Sequence, residues 1–382
     1  MDYYCSAKFT ELQVHVQSRL LYNCCKAYPE RVDLDWLEAN PGRLFHTDTM
    51  LQDRELMLDN KSCASCHHGC YKLEEQGLPS TRQQYINDTK ISDPHAPVKK
   101  LTISLSTDCN LTCMYCSPEW SSSWHRDIDK NGAYLLDDVA TRQNNNWTTL
   151  WSKMKQRSRG VESRFFDLLL NEIKLAPSLD SITFLGGEPL LNNQLESALD
   201  VASGKKIRIV TGLGVSHDRL RKFLHKIKGM DVVFNISAES TGELFELIRY
   251  GVSWKDFCDR VDMIEKNGHE INFLSTISNL SILGFDRFYD RYSQRHNIHI
   301  NALSETEWMM PHVLDDLSKE KFIDSTKSKH NLPEFKTITN MIGKNPEDRH
   351  RSHMGQYLKQ FSSRRSISLD FLPTHLLKWC GL

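Results

Sequence analysis

Three cysteines in one short loop constrain this chain more than any other feature of its sequence. Cys109, Cys113 and Cys116 are separated by three and then two residues, and they follow an apolar, β-rich run at 101–105. Thiolates at this spacing can bind three irons of an iron–sulfur cube and leave the fourth iron open to a small molecule. Structural zinc sites normally take four protein ligands, so an open position indicates chemistry at the metal.

A second motif, Gly186-Gly187-Glu188-Pro189, follows the apolar run 181–185. Glycine lets the backbone approach a ligand closely, and the ends of parallel strands are where α/β proteins build their sites. On its own this motif also fits an ordinary β-to-α turn. Its position downstream of the three cysteines favours a binding role.

From residue 98 onward, short β-rich runs alternate with helical patterns, which indicates parallel strands joined by crossover helices. Six such units fall short of the eight in a closed barrel. The predicted strands lie near 101–106, 181–185, 206–211, 231–237, 271–278 and 297–303. The predicted helices lie near 162–175, 194–202, 218–228, 242–250, 254–266 and 285–292.

The cysteine loop, with Tyr115 before its third cysteine, and the glycine-rich motif together resemble the radical S-adenosylmethionine (SAM) superfamily. The resemblance implies an α/β fold with an open, partial (β/α)6 TIM-like barrel. It also implies a 4Fe–4S cluster on the three cysteines, which are the catalytic residues, with SAM bound at the open iron. Tyr115 and the motif Gly186, Gly187, Glu188 and Pro189 are then cofactor-binding residues.

Further cofactor-binding candidates follow the later strands. Related enzymes often have a Ser-x-Asp signature after the fourth strand and an arginine on the next helix. Here Ser237 and Arg249 match, but Glu239 stands where aspartate is common. We expect Ser237 and Arg249 to bind SAM, although Ser237 can instead cap a helix and Arg249 can be a solvated surface charge. Thr211 is a weaker candidate for contacts to the ribose or adenine.

Nine of the eleven cysteines fall within the first 116 residues, which indicates metal ligands rather than scattered core cysteines. The run Cys66-His67-His68-Gly69-Cys70, continuing to Ser80-Thr81-Arg82, resembles twitch-type radical SAM proteins, whose auxiliary module is half of the SPASM module. The resemblance implies an auxiliary 4Fe–4S cluster, and its likeliest ligands are Cys5, Cys24, Cys66 and Cys70. Cys25 and Cys63 are alternates, and a zinc site is the alternative on ligand type alone.

We expect three parts: an auxiliary iron–sulfur module at 1–95, the radical SAM core at 96–303, and a helical C-terminal extension at 304–382 that covers the barrel. Because the auxiliary cysteines begin at Cys5, we expect no leader-binding domain within the chain. A separate leader-peptide-binding protein remains a possible partner.

The predicted function is that of a radical SAM enzyme of the oxidoreductase type. The resemblance implies that a 5′-deoxyadenosyl radical abstracts hydrogen from the substrate, and that the auxiliary cluster assists an oxidation or crosslinking of a peptide. The alternatives are the same chemistry on a sugar or other small metabolite, and a non-catalytic iron–sulfur or zinc protein. A flavodoxin- or ferredoxin-type protein is the expected electron donor.

Composition limits the other partners. The 48 Lys and Arg balance the 49 Asp and Glu, so no basic excess indicates nucleic-acid binding. No apolar run approaches the ~20 residues that a membrane-spanning helix needs. The polar N-terminus lacks the features of a signal peptide, so we expect a cytoplasmic protein.

Overall fold

The structure, a computed structural model, describes residues 2–77, 80–86, 88–137, 139–140, 161–303 and 306–382. The chain forms two units, each assembled from separate stretches of sequence. The first consists of residues 1–106, 153–209 and 227–232, and the second of 107–152, 210–226 and 233–382. The predicted division into parts at 95 and 303 stays a prediction.

The first unit is built on a sheet with the strand order β6-β5-β4-β1-β2-β3. β4 pairs in parallel with both β1 and β5, and β5 pairs in parallel with β6, whereas β2 is antiparallel to β1 and β3. Alternate residues of β6 are buried, as expected for a half-buried strand. The strands are β1 (Glu11–His15), β2 (Leu20–Tyr22), β3 (Glu30–Arg31), β4 (Lys100–Ser104), β5 (Ser181–Leu185) and β6 (Lys206–Thr211).

The second unit contains three parallel strands in the order β7-β8-β9, which are Val232–Ser237, Glu270–Ile277 and Asn297–Ala302. Alternate residues of β8 are buried, and Phe273 at its centre has no exposed surface. A small antiparallel hairpin pairs Leu135–Leu136 with Val139–Ala140.

Helices follow the strands, and several of them begin at a residue whose side chain caps the helix. The helix Trp254–Lys266 begins at Ser253, whose side chain accepts a hydrogen bond from the Asp256 amide. The first unit contains Ala7–Thr10, Leu34–Ala39, Asp48–Leu58, Lys72–Glu75, Val161–Lys174 and Gln194–Val201. The second contains Ser122–Asn131, His217–Lys226, Gly242–Ile248, Trp254–Lys266, Asn279–Ile282, Phe285–Tyr292, Asp316–Ser325, Pro333–Ile342, Asp348–Arg365 and Thr374–Trp379.

The predicted fold class is confirmed, because the chain is a mixed α/β protein with a parallel, unclosed sheet. Each of the six predicted core strands is present within two residues of its predicted bounds. The N-terminal elements that were not predicted include the longest strand and the longest helix of residues 2–95. These two are the strand β1, which pairs in parallel with β4, and the helix Asp48–Leu58.

No helix in the described part of the chain is both long enough and apolar enough to span a bilayer.

Candidate functional site

The glycine-rich motif begins where β4 and β5 end side by side. The Leu105 amide donates to the Leu185 carbonyl at 3.1 Å, and the Gly187 amide donates to the Ser106 carbonyl at 2.8 Å. Gly186 has φ +141°, and a Cβ at this position would lie 2.4 Å from the Ser106 oxygen. Only glycine fits here, because both the backbone conformation and the close approach exclude a side chain.

Glu188 has a structural role in this turn, because it caps it. Its side chain is 1% exposed, and its Oε1 accepts a hydrogen bond from the Leu190 amide at 3.2 Å. It therefore caps the short turn Pro189–Leu191, in which proline occupies the first position. The turn is fixed by its own residues, which leaves the backbone of the two glycines in a defined position.

The cysteine loop is held on one side by the start of the helix Ser122–Asn131. The Cys109 carbonyl accepts hydrogen bonds from the hydroxyls of Ser122 and Ser123, at 3.1 and 2.7 Å. The Cys113 carbonyl accepts one from Trp124 Nε1 at 2.9 Å. These contacts fix the backbone on which the thiols are carried.

The other side of the loop lies against residues 248–251. The Met114 amide donates to the Ile248 carbonyl at 2.9 Å, and the Thr112 amide donates to the Tyr250 carbonyl at 2.8 Å. Gly251 has φ +118°, and a Cβ there would lie 2.9 Å from the Asn110 oxygen. The sequence Arg-Tyr-Gly at 249–251 is thus explained by close backbone packing against the cysteine loop.

Arg249 and Glu239 form a buried ion pair beside the loop. Arg249 Nη2 lies 2.6 Å from Glu239 Oε2, and its Nε lies 3.1 Å from Oε1. Arg249 is 6% exposed and Glu239 is 0% exposed, so the alternative in which Arg249 is a solvated surface charge is wrong. Burial by itself disfavours the charged arginine, but the Glu239 carboxylate holds the pKa of Arg249 well above its usual range.

The same pair contacts the cysteine loop directly. The Tyr115 hydroxyl donates to Glu239 Oε1 at 3.1 Å, and Arg249 lies over the Tyr115 ring at 5.2 Å. Arg249 Nη1 lies 3.8 Å from Cys113 Sγ. The Arg249–Glu239 pair therefore positions Tyr115 and Cys113 in the loop. The amino-acid sequence alone did not reveal this role.

Burial raises the pKa of two of the three loop thiols, Cys113 and Cys116. It raises the pKa of Cys116 to about 12, and it also raises that of Cys113, although Arg249 acts in the opposite direction. These two thiols consequently hold their protons until a metal replaces them.

The C-terminal helix Asp348–Arg365 also contacts the loop. The Tyr357 hydroxyl donates to the Met114 carbonyl at 2.5 Å, and Arg365 Nε donates to the Thr112 hydroxyl at 3.2 Å. Sequence reasoning missed both residues, because they lie more than 240 positions from their partners.

The remaining SAM-pocket candidates stand at strand ends. Ser237 is the last residue of β7 and is partly exposed. Thr211 ends β6, is buried, and accepts a hydrogen bond from the Leu213 amide at 2.8 Å. Their contacts to SAM stay predictions.

In the first unit, a pocket brings together cysteines that are distant in sequence. Its empty volume is about 420 Å³, including its open mouth. All four predicted auxiliary ligands line it, together with one of the two alternates: Cys5, Cys24, Cys66, Cys70 and Cys25. The other alternate, Cys63, is not among the lining residues, and its sulfur lies 3.6 Å from the Tyr71 hydroxyl.

Two buried cations complete the pocket lining. Lys8 Nζ donates to Asn23 Oδ1, Asp53 Oδ2 and Ser65 Oγ, each at 2.6 Å. Burial opposes the charge of Lys8, but Cys66 and Asp53 raise its pKa above the usual value, so it stays protonated.

Arg82 is the second of these cations. Its Nε donates to Glu74 at 3.0 Å and its Nη1 donates to the Tyr4 carbonyl at 2.9 Å.

The thiols of the pocket differ in acidity. Burial raises the pKa of Cys5 to about 12, whereas a hydrogen bond from Cys25 lowers the pKa of Cys24 to about 6. The Cys24 thiol therefore loses its proton more readily than the Cys5 thiol.

The spacing of the sulfurs bears on the kind of metal. A single tetrahedral zinc with bonds of ~2.3 Å holds its sulfurs about 3.8 Å apart. Among the described residues, no three cysteine sulfurs lie within 4.8 Å of one another; the group that does meet this spacing is His217, Asp256 and Asp259. Two of these acids already contact Arg260 and Lys255.

Comparison with known families identifies the core of the chain. Residues 103–289 match the family model described as the Radical SAM superfamily. The chain contains a radical SAM domain. The match includes the cysteine loop, the glycine-rich motif and the Arg249–Glu239 pair. No curated protein matches the chain.

Several solved structures resemble the chain distantly. Native anSMEcpe with bound AdoMet is 14% identical over 61% of this chain and 60% of that one, with a TM-score of 0.37. Streptococcus suis SuiB bound to precursor peptide SuiA is 13% identical over 86% of this chain and 70% of that one, with a TM-score of 0.35. The chain thus spans about 60% of the length of anSMEcpe.

A radical SAM domain implies SAM and a 4Fe–4S cluster as cofactors. The residues present fit this group, because three cysteines lie in one loop whose backbone is held on both sides. Cysteine thiolates are the usual ligands of such clusters. Cys109, Cys113 and Cys116 would hold the cluster.

Proposed function

We propose that this protein is a radical SAM enzyme of the oxidoreductase type that abstracts hydrogen from a peptide, with an auxiliary iron–sulfur cluster in its N-terminal module. The observation that carries the proposal is the cysteine loop within the radical SAM domain. When bound, the cluster and SAM supply one electron and the 5′-deoxyadenosyl group that removes the hydrogen atom. A flavodoxin- or ferredoxin-type protein is the proposed electron donor.

The protein's own residues orient the cofactors and exclude water. The Arg249–Glu239 pair and Tyr115 fix the cysteine loop from one side, and Trp124 fixes it from another. Gly186 and Gly187 offer backbone groups at a position where no side chain can intervene. Pre-organisation of this kind is the main contribution a protein makes to chemistry that its cofactor performs.

The auxiliary 4Fe–4S cluster is supported by the donor set of the N-terminal pocket. Four thiols from three segments, Cys5, Cys24, Cys66 and Cys70, line it, and Cys25 is a fifth. A cluster there can accept an electron from the substrate radical, which favours an oxidation or crosslink as the net reaction.

The first test is SAM cleavage. Anaerobically reconstituted protein with dithionite and SAM should release 5′-deoxyadenosine. The triple variant Cys109→Ala/Cys113→Ala/Cys116→Ala should release none, because no thiol remains to hold the cluster at the loop. Cleavage of SAM by the triple variant would show that the loop is not the site.

The second test isolates the auxiliary cluster in the same triple variant. Iron and sulfide analysis should find about four of each per chain, the content of one 4Fe–4S cube. Adding a substitution of Cys5, Cys24, Cys66 or Cys70 should lower this content. Substitution of Cys258 or Cys380, which lie outside the pocket, should not. Zinc without sulfide would refute the auxiliary cluster.

The third test concerns the substrate class. A deuterated cell extract can be separated into a peptide fraction and a fraction of sugars and other small metabolites. Deuterium in the released 5′-deoxyadenosine should come from the peptide fraction. Transfer only from the small-metabolite fraction would replace the peptide with a small-molecule substrate.

A further inference from the structure

Lys8 occupies an unusual position for a lysine, because its side chain is fully buried at the edge of the cysteine-lined pocket. We propose that Lys8 is a positioning residue for the auxiliary cluster: its ammonium joins the segments that carry the cysteine ligands, and its charge raises the reduction potential of the cluster. This inference rests on the auxiliary cluster proposed above.

The hydrogen bonds of Lys8 account for the positioning role. All three of its donors are used, and each partner belongs to a different segment. Asn23 precedes Cys24, and Ser65 precedes Cys66. Lys8 itself follows Cys5 by three residues. One buried ammonium thus connects the three segments that supply the thiols.

The third partner, Asp53, comes from the helix Asp48–Leu58 and supplies the opposite charge. Its Oδ2 lies 2.6 Å from Lys8 Nζ, and the Ser65 hydroxyl also donates to it at 2.5 Å. Burial of a charged group is costly unless it is paired and fully hydrogen-bonded, and Lys8 meets both conditions. The pair is therefore stable in this interior position.

The orientation of the pair accounts for the electrostatic role. Lys8 lines the pocket, whereas Asp53 does not. Of the two charged residues, only the positive one is thus part of the pocket lining, and charges act strongly where water is excluded. A positive charge favours the more negative, reduced form of a cluster, so Lys8 should raise the potential.

The experiment uses the full chain in the triple variant that retains only the auxiliary cluster. Its midpoint potential is measured by a redox titration followed by electron paramagnetic resonance. Lys8→Met removes the positive charge, so the potential should become more negative. Asp53→Asn keeps a hydrogen-bond acceptor and leaves the lysine charge unbalanced, so the potential should become more positive.

The exposed pair Lys61–Asp59, with its atoms 2.9 Å apart in the same unit, provides matched controls. Lys61→Met and Asp59→Asn should leave the potential unchanged. A purely structural role for Lys8 would not move the potential in opposite directions in the two buried variants. Iron and sulfide content is measured on each sample. It distinguishes a cluster whose potential has changed from a cluster that has been lost.

The outcomes are distinct. Opposite shifts at unchanged iron content support the inference, and unchanged potentials or shifts in the same direction overturn it. If Lys8→Met does not retain the cluster, Asp53→Asn decides alone: a positive shift supports the inference and no shift overturns it. A triple variant without iron and sulfide overturns the auxiliary cluster itself, and this inference with it.

Discussion

At the scale of single residues, the Arg249–Glu239 pair determines how the site should respond to substitution. Arg249→Ala would leave the fully buried Glu239 carboxylate without its partner. Breaking a buried ion pair from one side costs about 3–5 kcal/mol of stability. We expect this loss in the free energy of unfolding measured with urea, together with weaker SAM binding, because the cysteine loop loses its support.

Two further variants distinguish the effect of losing the Arg249–Glu239 ion pair from a general effect of removing an arginine. Arg221→Ala removes the partner of Asp218 in an exposed pair of the same unit and should cost below about 1 kcal/mol. Glu239→Gln combined with Arg249→Ala should lose less stability than Arg249→Ala alone, because no buried charge remains unpaired. If Arg249→Ala weakens SAM binding without any loss of stability, Arg249 contacts SAM and does not mainly support the loop.

The residues of this site were predicted in part. The three cysteines lie close together in sequence, as do the four residues of the glycine-rich motif, so local spacing was enough to propose them as site residues. Their roles stay predictions. The pairing of Arg249 with Glu239, and the contact of Tyr357 with Met114, depend on how distant segments pack. No spacing rule in a single sequence reveals such contacts.

At the scale of elements, the turn after β5 gives a sharp prediction. Gly186→Ala would place a Cβ 2.4 Å from the Ser106 carbonyl oxygen, in a backbone conformation that alanine avoids. The ends of β4 and β5 must then move apart. We expect a loss of SAM binding, measured by calorimetry on the reconstituted protein, and a lower midpoint of thermal unfolding.

Gly204→Ala is the matched control, because Gly204 also has a positive φ but has no atom within 4 Å of its Cβ position. It should cost only the conformational strain, about 1 kcal/mol. SAM binding should be unchanged in this variant. Equal effects of the two substitutions would show that the close approach at Gly186 has no functional consequence.

Elements were predicted well where local patterns are strong and poorly where they are not. The core strands and helices have clear periodicity, and all six strands were found. The helix Asp48–Leu58 was missed because its buried side includes Asp53 and Arg54, which interrupt an apolar pattern. The strand β1 was missed because its parallel partner β4 lies some 90 residues away, and pairing at that distance leaves no local signal.

At the scale of the whole molecule, the N-terminal cysteine region belongs to the same unit as the first strands of the core. Glu172, in the helix Val161–Lys174, accepts hydrogen bonds from the amides of Gly42 and Leu44 at 2.7 and 3.0 Å. Glu172 is buried, and burial raises its pKa. The segment between Cys25 and Cys63 is therefore attached to the helix Val161–Lys174 through backbone amides.

Two histidines of this unit predict how the protein responds to acid. Burial lowers the pKa of His15 to about 4. Burial and the nearby Arg54, whose Nη1 lies 3.0 Å from His46 Nδ1, lower the pKa of His46 to about 4. Both side chains are therefore neutral in the folded state, whereas in the unfolded chain they bind protons below about pH 6.5.

Between pH 6.5 and 4 the unfolded state binds more protons than the folded state, so stability falls as the pH is lowered. Each histidine should contribute about 1–3 kcal/mol to this loss once its partial exposure is taken into account. Urea unfolding of the anaerobic protein at pH 7.5 and pH 4.5 measures it. His15→Gln and His46→Gln should each reduce the difference between the two pH values, whereas His225→Gln, at an exposed position, should not. An unchanged difference in both buried variants would mean that other groups cause the loss of stability in acid.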